Sequence, residues 1–408
     1  MNVNIGCKWL IALAFISISV VGSAQVLTHE DSLAAGLELK GNRATAISGY
    51  GEAYYKHDLK LETAEARLRR VVLFIGHRFT NKISFFSELE LEDAKVGTGA
   101  GEIAMEQAFL KFDLTRNFYL QAGFFTPRIG IINENHLPNT FNGNERPMLE
   151  QVLIPATWRE LGIGAYGTIP AIPGLNYSIA LLNGLNAQGF NAEFGITNGR
   201  QEGYRVSARQ KAITAALLYY LGPLRLQVSG YAGGSVGVDN NTADRLDLST
   251  GFFGTPVYLT EANAQYRNKG LVVKALVCRI TIPDAAKINT AFANNTPEQM
   301  QGAYGEIAYD VFYRKHKGNK QFSLFGRYEN IDMAGKIPVN GIENSYYRQQ
   351  HFFGGITYLP VRGVAIKLDY QYITNGTFNP SLIINPTPYV LPYFTQRQFI
   401  TAGVAYSF

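Results

Sequence analysis

Alternation with a period of two constrains this chain more than any other feature. In Leu224-Arg225-Leu226-Gln227-Val228-Ser229-Gly230-Tyr231, Leu224, Leu226 and Val228 share one face, and Arg225, Gln227 and Ser229 share the other. That is the side-chain spacing of a β-strand. The pattern returns from Val364 to Gln371 and from Phe322 to Glu329. Between Lys82 and Glu92 it sets Ile83, Phe85, Leu89 and Leu91 against Glu88, Glu90 and Glu92.

A soluble sandwich also alternates, so the punctuation has to decide. Tight connections are expected near Thr80-Asn81, Thr115-Arg116, Ile169 to Gly174, Gly222-Pro223, Arg267 to Gly270, Lys315 to Asn319 and Leu359 to Arg362. Between them lie longer polar stretches: Asp93–Gly101, Pro127–Thr157, Gly184–Gly203, Gly233–Thr255, Pro283–Gln301, Ile331–Gln349 and Thr374–Gln396. Short turns on one side and long loops on the other mark a transmembrane antiparallel β-barrel. Strands are expected to begin near Ala44, Thr63, Lys82, Glu102, Asn117, Trp158, Leu175, Tyr204, Leu224, Pro256, Leu271, Gly302, Lys320, Gln350, Gly363 and Arg397. They make an all-β barrel of about sixteen strands with both ends on the short-turn, periplasmic side. Near Arg69-Arg70 the phase slips, as at a bulge.

Composition fits. Tyr (24), Phe (25) and Gly (41) are abundant, and charged residues make up only 17%. A mean hydropathy of -0.05 is too polar for a helical membrane protein but ordinary where apolar and polar residues alternate. The formal charge of +5 is too weak a bias to mark a nucleic-acid partner.

At the N-terminus, Lys8 precedes an apolar run from Leu10 to Val21, followed by Gly22-Ser23-Ala24. The run is shorter than the ~20 residues that cross a bilayer and reads as a secretory signal cut after Ala24. The expected layout is a cleaved signal over 1–24, a short periplasmic segment over 25–43 and an outer-membrane barrel over 44–408. Cys7 leaves with the signal, so Cys278 is the single thiol of the mature chain, and no intrachain disulfide can form.

The last strand carries Ile400, Ala402, Val404, Tyr406 and Phe408 on one face, and Phe408 ends the chain. This terminal aromatic, with Tyr406 before it, resembles the signal by which outer-membrane barrels are recognised by their assembly machinery.

The longest connection, Pro127–Thr157, lies between the fifth and sixth strands. It contains Gly130-Ile131-Ile132-Asn133-Glu134-Asn135-His136 and Thr140-Phe141-Asn142-Gly143-Asn144-Glu145-Arg146-Pro147, and runs on through Ile154-Pro155-Ala156-Thr157-Trp158-Arg159-Glu160. These runs, with Ser48-Gly49-Tyr50-Gly51-Glu52 and Ile83 to Glu90, resemble porins related to the phosphate-selective porin O and P family. The resemblance is strong from Gly49 to Gly189 and generic beyond. It implies a trimeric sixteen-stranded diffusion channel in a Gram-negative outer membrane, passing small hydrophilic solutes, phosphate-like anions among them. It also implies that the third external loop folds inward to narrow the pore. No cofactor is implied, and the partners are outer-membrane lipid, the assembly machinery, solutes and two further copies of the chain.

Alternation places Arg205, Arg209, Arg225, Arg327 and Lys367 in the lumen, with Glu88, Glu90, Glu92, Glu306, Asp310, Glu329 and Asp369. The signs are mixed, whereas rings of one sign set strong selectivity. For the constriction the candidates are Arg128, Arg146 and Arg159, with Glu134 and Glu145. Alternatively, these arginines are salt-bridged to Glu134, Glu145 or Glu160 and pin the loop to the wall.

Two catalytic-looking motifs fail on context. Gly162-Ile163-Gly164-Ala165-Tyr166-Gly167 matches a dinucleotide fingerprint, but it lies in an alternating strand, with Pro170 and Pro173 blocking a following helix. Gly233-Gly234-Ser235-Val236-Gly237 matches a nucleophile elbow but runs into a polar loop. Asp239, Asp244 and Asp247 lack an EF-hand pattern, and the six histidines show no metal-ligand spacing. The competing readings are a barrel hydrolase using Ser235 or His351, and an adhesin binding through 233–255 or 374–396.

Overall fold

In the computed structural model, residues 44–94, 101–235, 238–249, 251–313, 320–380 and 393–408 are described. The proposed signal and the segment before Ala44 lie outside them, as do 95–100, Gly237 and 381–392 of the last long connection.

Sixteen antiparallel strands close into one ring, each paired with its sequence neighbours and β1 with β16. They are β1 (Ala44–Asp58), β2 (Thr63–Thr80), β3 (Ile83–Glu92), β4 (Ile103–Thr115), β5 (Phe118–Phe125), β6 (Glu160–Thr168), β7 (Leu175–Asn183) and β8 (Lys211–Leu221). The ring continues with β9 (Leu224–Gly233), β10 (Val257–Asn268), β11 (Leu271–Thr281), β12 (Gln299–Asp310), β13 (Gln321–Lys336), β14 (Arg348–Val361), β15 (Val364–Asn375) and β16 (Gln396–Ser407). Closure satisfies every strand edge, which a bilayer requires because lipid offers no hydrogen-bond partner. The seam is completed by Phe408, whose amide donates to the Gly49 carbonyl at 3.0 Å, while the Gly49 amide donates to the Phe408 carbonyl at 3.2 Å.

The burial pattern is that of a soluble protein turned inside out. On β9, Val228 is 63% exposed whereas Gln227 is 2% exposed. Leu217, Ile163, Ile307, Ile366 and Val404 are likewise exposed, and Glu88, Glu306, Arg327, Lys367 and Asp369 are buried. A barrel with lipid outside and polar groups within shows this inversion.

Two bulges re-aim charged side chains. The β1–β2 register passes from Glu52↔Arg70 to Ala53↔Leu68, so Arg69 is the extra residue, at the expected phase slip. The β3–β4 register passes from Glu88↔Gln107 to Leu89↔Met105, leaving Glu106 extra. Consecutive residues then turn to the same face, and Glu106 and Gln107 are both buried.

One strand differs from expectation. β8 begins at Lys211 rather than near Tyr204. Arg205 has a positive φ of 46°, which no extended strand residue adopts. Gln201 folds the chain here, accepting from the Ser207 amide at 2.7 Å and donating to the Gly184 carbonyl at 2.7 Å. Arg205 and Arg209 are therefore exposed residues of a connection, not part of the lumen wall.

Candidate functional site

The connection over 126–159, carried by β5 and β6, contains one short helix, α1 (Met148–Val152). Its buried apolar side chains Ile129, Ile131, Leu149, Leu153, Ile154 and Trp158 pack in one cluster with Leu276, Ile280, Met300 and Met333 of β11–β13. Phe190 and Ile196 of the next long connection join the same cluster. A loop held by such a core behaves as a folded element rather than a floppy one.

Polar contacts carry the same segment to strands far round the ring. The Leu149 amide donates to Glu329 on β13 at 2.8 Å. Asn142 donates to Glu306 on β12 at 3.0 Å. Lys367 on β15 donates to the carbonyls of Pro138 and, at 2.7 Å, of Gly143, and its ammonium lies 4.1 Å from the centroid of the Phe141 ring. Glu145 accepts from Lys56 of β1 at 3.2 Å and Arg69 of β2 at 2.9 Å. Burial works against the Glu145 charge, but Arg69 and Lys56 hold its carboxyl at about 2. Within the segment, Glu150 accepts the amides of Ile131 and Ile132, each at 2.7 Å, and the Tyr304 hydroxyl at 2.6 Å. Burial nevertheless pushes this carboxyl up to about 7.

Most of the expected site residues meet around this segment. Arg128 pairs with Glu134 at 2.9 Å, and Glu134 also pairs with Arg225 of β9. Arg159 pairs with Glu106 at 3.2 Å. Arg327 pairs with Glu329 at 2.9 Å and donates to the Glu145 carbonyl at 3.0 Å. Arg205 and Arg209 stand apart from the group.

Arg146 differs from the other arginines. It is buried, and its guanidinium donates to the His136 carbonyl at 3.4 Å. Among the described residues no carboxylate lies within 4.0 Å of it. Burial, and then neighbouring Arg70, lower this guanidinium below the ordinary arginine value. The segment therefore carries a positive charge with little direct compensation.

Sequence reasoning missed Tyr50 and Glu106. Tyr50 donates to Glu88 at 2.8 Å and to Glu106 at 3.1 Å. The signal for Glu106 was present: Glu106-Gln107 interrupts the alternation between Met105 and Ala108.

The motifs declined on sequence keep structural roles. Gly162–Gly167 lies within β6. Ser235 is buried, and its hydroxyl donates to the Thr255 carbonyl at 2.9 Å.

A closed sixteen-stranded ring with an apolar exterior, a charged interior and a long connection after the fifth strand defines an outer-membrane channel of the porin type. The family model for phosphate-selective porin O and P matches residues 44–148. An uncharacterized protein of Aquifex aeolicus is 32% identical over 342 residues, covering 80% of this chain and 75% of the relative. Over its N-terminal quarter the chain is thus similar to the phosphate-selective porin O and P family.

Solved structures agree on the fold. The outer-membrane channel DcaP of Acinetobacter baumannii is 13% identical, covering 91% of this chain and 99% of that one, with a TM-score of 0.54. An anion-selective porin from Comamonas acidovorans is 10% identical, covering 90% and 100%, with a TM-score of 0.54. OmpF of Salmonella typhi is 12% identical, covering 90% and 98%, also with a TM-score of 0.54.

Proposed function

We propose that this outer-membrane channel passes small hydrophilic solutes by passive diffusion, with a preference for anions, and that the 126–159 segment folds inward to form its constriction. The observation that carries this reading is the set of bonds from that segment to β12, β13 and β15. A loop rooted in β5 and β6 reaches those inward side chains by crossing the interior. The preference for anions is supported by Arg146, buried in the segment with no carboxylate within ion-pairing distance among the described residues. A fixed positive charge in a narrow, low-dielectric passage favours anions over cations.

The same reading includes export by a signal cleaved after Ala24, the periplasmic segment 25–43, insertion through the barrel assembly machinery, and a homotrimer in outer-membrane lipid. It assigns no cofactor and no catalytic step.

Reversal potentials in asymmetric KCl test the reading on purified protein in planar bilayers. The wild type is expected to be anion-selective and Arg146→Ala much less so. Equal reversal potentials for both would remove Arg146 from the selectivity mechanism.

A further inference from the structure

Four side chains from three strands and the 126–159 segment converge on one point under the barrel wall. They are Tyr50 of β1, Glu88 of β3, Glu106 of β4 and His136 of the segment, each no more than 3% exposed. His136 Nε2 lies 3.1 Å from Glu88 Oε1 and 3.6 Å from Glu106 Oε2. The Tyr50 hydroxyl lies 2.8 Å and 3.1 Å from the same two oxygens. We propose that these four groups form a binding site for a divalent transition ion of the zinc type, which joins the 126–159 segment to the wall.

The edge lengths support this. Four N and O donors about 2.0–2.1 Å from a tetrahedral zinc ion lie about 3.3–3.4 Å from one another. The four measured separations run from 2.8 to 3.6 Å, so an ion fits after small adjustments. The donor set of one imidazole, two carboxylates and one phenol suits a borderline ion such as Zn2+ rather than Ca2+, which takes six or more oxygens.

The surroundings orient the ligands. Gln107 donates to the other Glu88 oxygen at 2.9 Å. Thr157 and Arg159 donate to the other Glu106 oxygen at 3.0 and 3.2 Å. Each carboxylate thus has one oxygen held from outside and the other turned toward His136, which is how surrounding side chains prepare metal ligands. The β3–β4 bulge makes the site possible, because without the extra residue Glu106 would not share the inward face with Gln107. Two carboxylate oxygens aimed at one point repel unless a cation lies between them. Arg159 neutralises Glu106 only from the far side, and Arg70 is engaged with Glu52 and Glu90 at 2.9 and 3.1 Å. Arg146 also bears on Glu106 electrostatically but donates to the His136 carbonyl and forms no ion pair with either carboxylate, so the candidates for a cation between the two oxygens are a metal ion and an imidazolium on His136, and the experiment separates them.

The purified full-length barrel is stripped with EDTA and titrated with Zn2+ by calorimetry, and with Co2+ by visible absorption. One equivalent of Zn2+ per chain is expected, with a four-coordinate Co2+ spectrum that Zn2+ displaces. Glu106→Gln and His136→Ala should abolish saturable binding, and Gln107→Ala should weaken it by about tenfold. The heat-modifiable gel shift checks that each variant is folded. If a variant fails to fold, the wild-type Co2+ spectrum and the presence of a nitrogen ligand in its magnetic resonance spectrum decide alone. Absence of saturable binding by the wild type, or full binding by folded His136→Ala, overturns the proposal and leaves the imidazolium in place. Neither result depends on whether the channel prefers anions.

Discussion

Asp369 on β15 accepts two hydrogen bonds from Asn144, from the backbone amide at 2.8 Å and from the side-chain amide at 2.6 Å. The same Asn144 amide group donates to the Thr401 carbonyl of β16 at 3.2 Å. Gly403 leaves the space for this: a Cβ there would lie 2.0 Å from Asn144 Oδ1 and 3.0 Å from the Ala53 carbonyl oxygen. Gly403→Ala should therefore push Asn144 off the wall at a cost of about 1–3 kcal/mol. Single-channel recordings should show a noisier, larger conductance in a barrel that still folds. An unchanged trace would mean that the loop does not depend on this notch.

Lys367 anchors the segment from the same strand through the carbonyls of Pro138 and Gly143. Lys367→Met keeps much of the volume and removes the donor, leaving two buried carbonyls short of a partner. A loss of about 1–3 kcal/mol is expected, read as a lower thermal midpoint in detergent with normal heat modifiability. Limited proteolysis should then cut the 126–159 segment faster than in the wild type.

Two of the segment's carboxylates, Glu150 and Glu145, predict opposite responses to pH. Burial raises Glu150 to about 7, so its contribution to stability is fully present below the ordinary carboxylate value and is lost as pH rises through about 7. The change is of order 3 kcal/mol. Glu145 is held at about 2, so its contribution is present above the ordinary value and is lost only as pH falls toward about 2. Between pH 5 and pH 8 Glu150 outweighs Glu145, and Glu150→Gln should lessen the fall of the thermal midpoint with rising pH over that range. A wild-type midpoint that rises with pH would contradict the assignment.

Phe408 closes the β1–β16 seam through Gly49, and its ring lies over that glycine, where a Cβ would come within 3.0 Å of the ring and 2.7 Å from the Val72 carbonyl oxygen. Phe408→Ala keeps the backbone bonds and removes the aromatic ring over Gly49. The folded, heat-modifiable fraction in the outer membrane should fall several-fold, whereas refolding in detergent should be little changed. An equal loss in both would place the effect in seam stability rather than in assembly.

The strands were legible because lipid outside and polar groups inside impose a strict period of two, and turns of two or three residues can only join adjacent antiparallel strands. β8 was misjudged at its start because Tyr204 to Gln210 keeps a mixed polarity that alternation accepts, while Gln201 and the positive φ of Arg205 fold it back. In the site, the basic residues of the segment were visible as charges in a long loop, but their partners were not. Pairing Arg159 with Glu106 depends on the β4 bulge two strands away, and pairing Lys367 with Pro138 and Gly143 depends on how the loop reaches β15. Glu106 was hidden for another reason: a bulge reverses the face of one residue, and strict alternation assigns it outward.

The most direct test of the central claim is current through single purified molecules in planar bilayers. Heat-modifiable protein should give discrete conductance steps, larger in a variant shortened within 137–147 than in the wild type. A folded barrel that inserts but passes no current, or a shortened variant with wild-type steps, would contradict it.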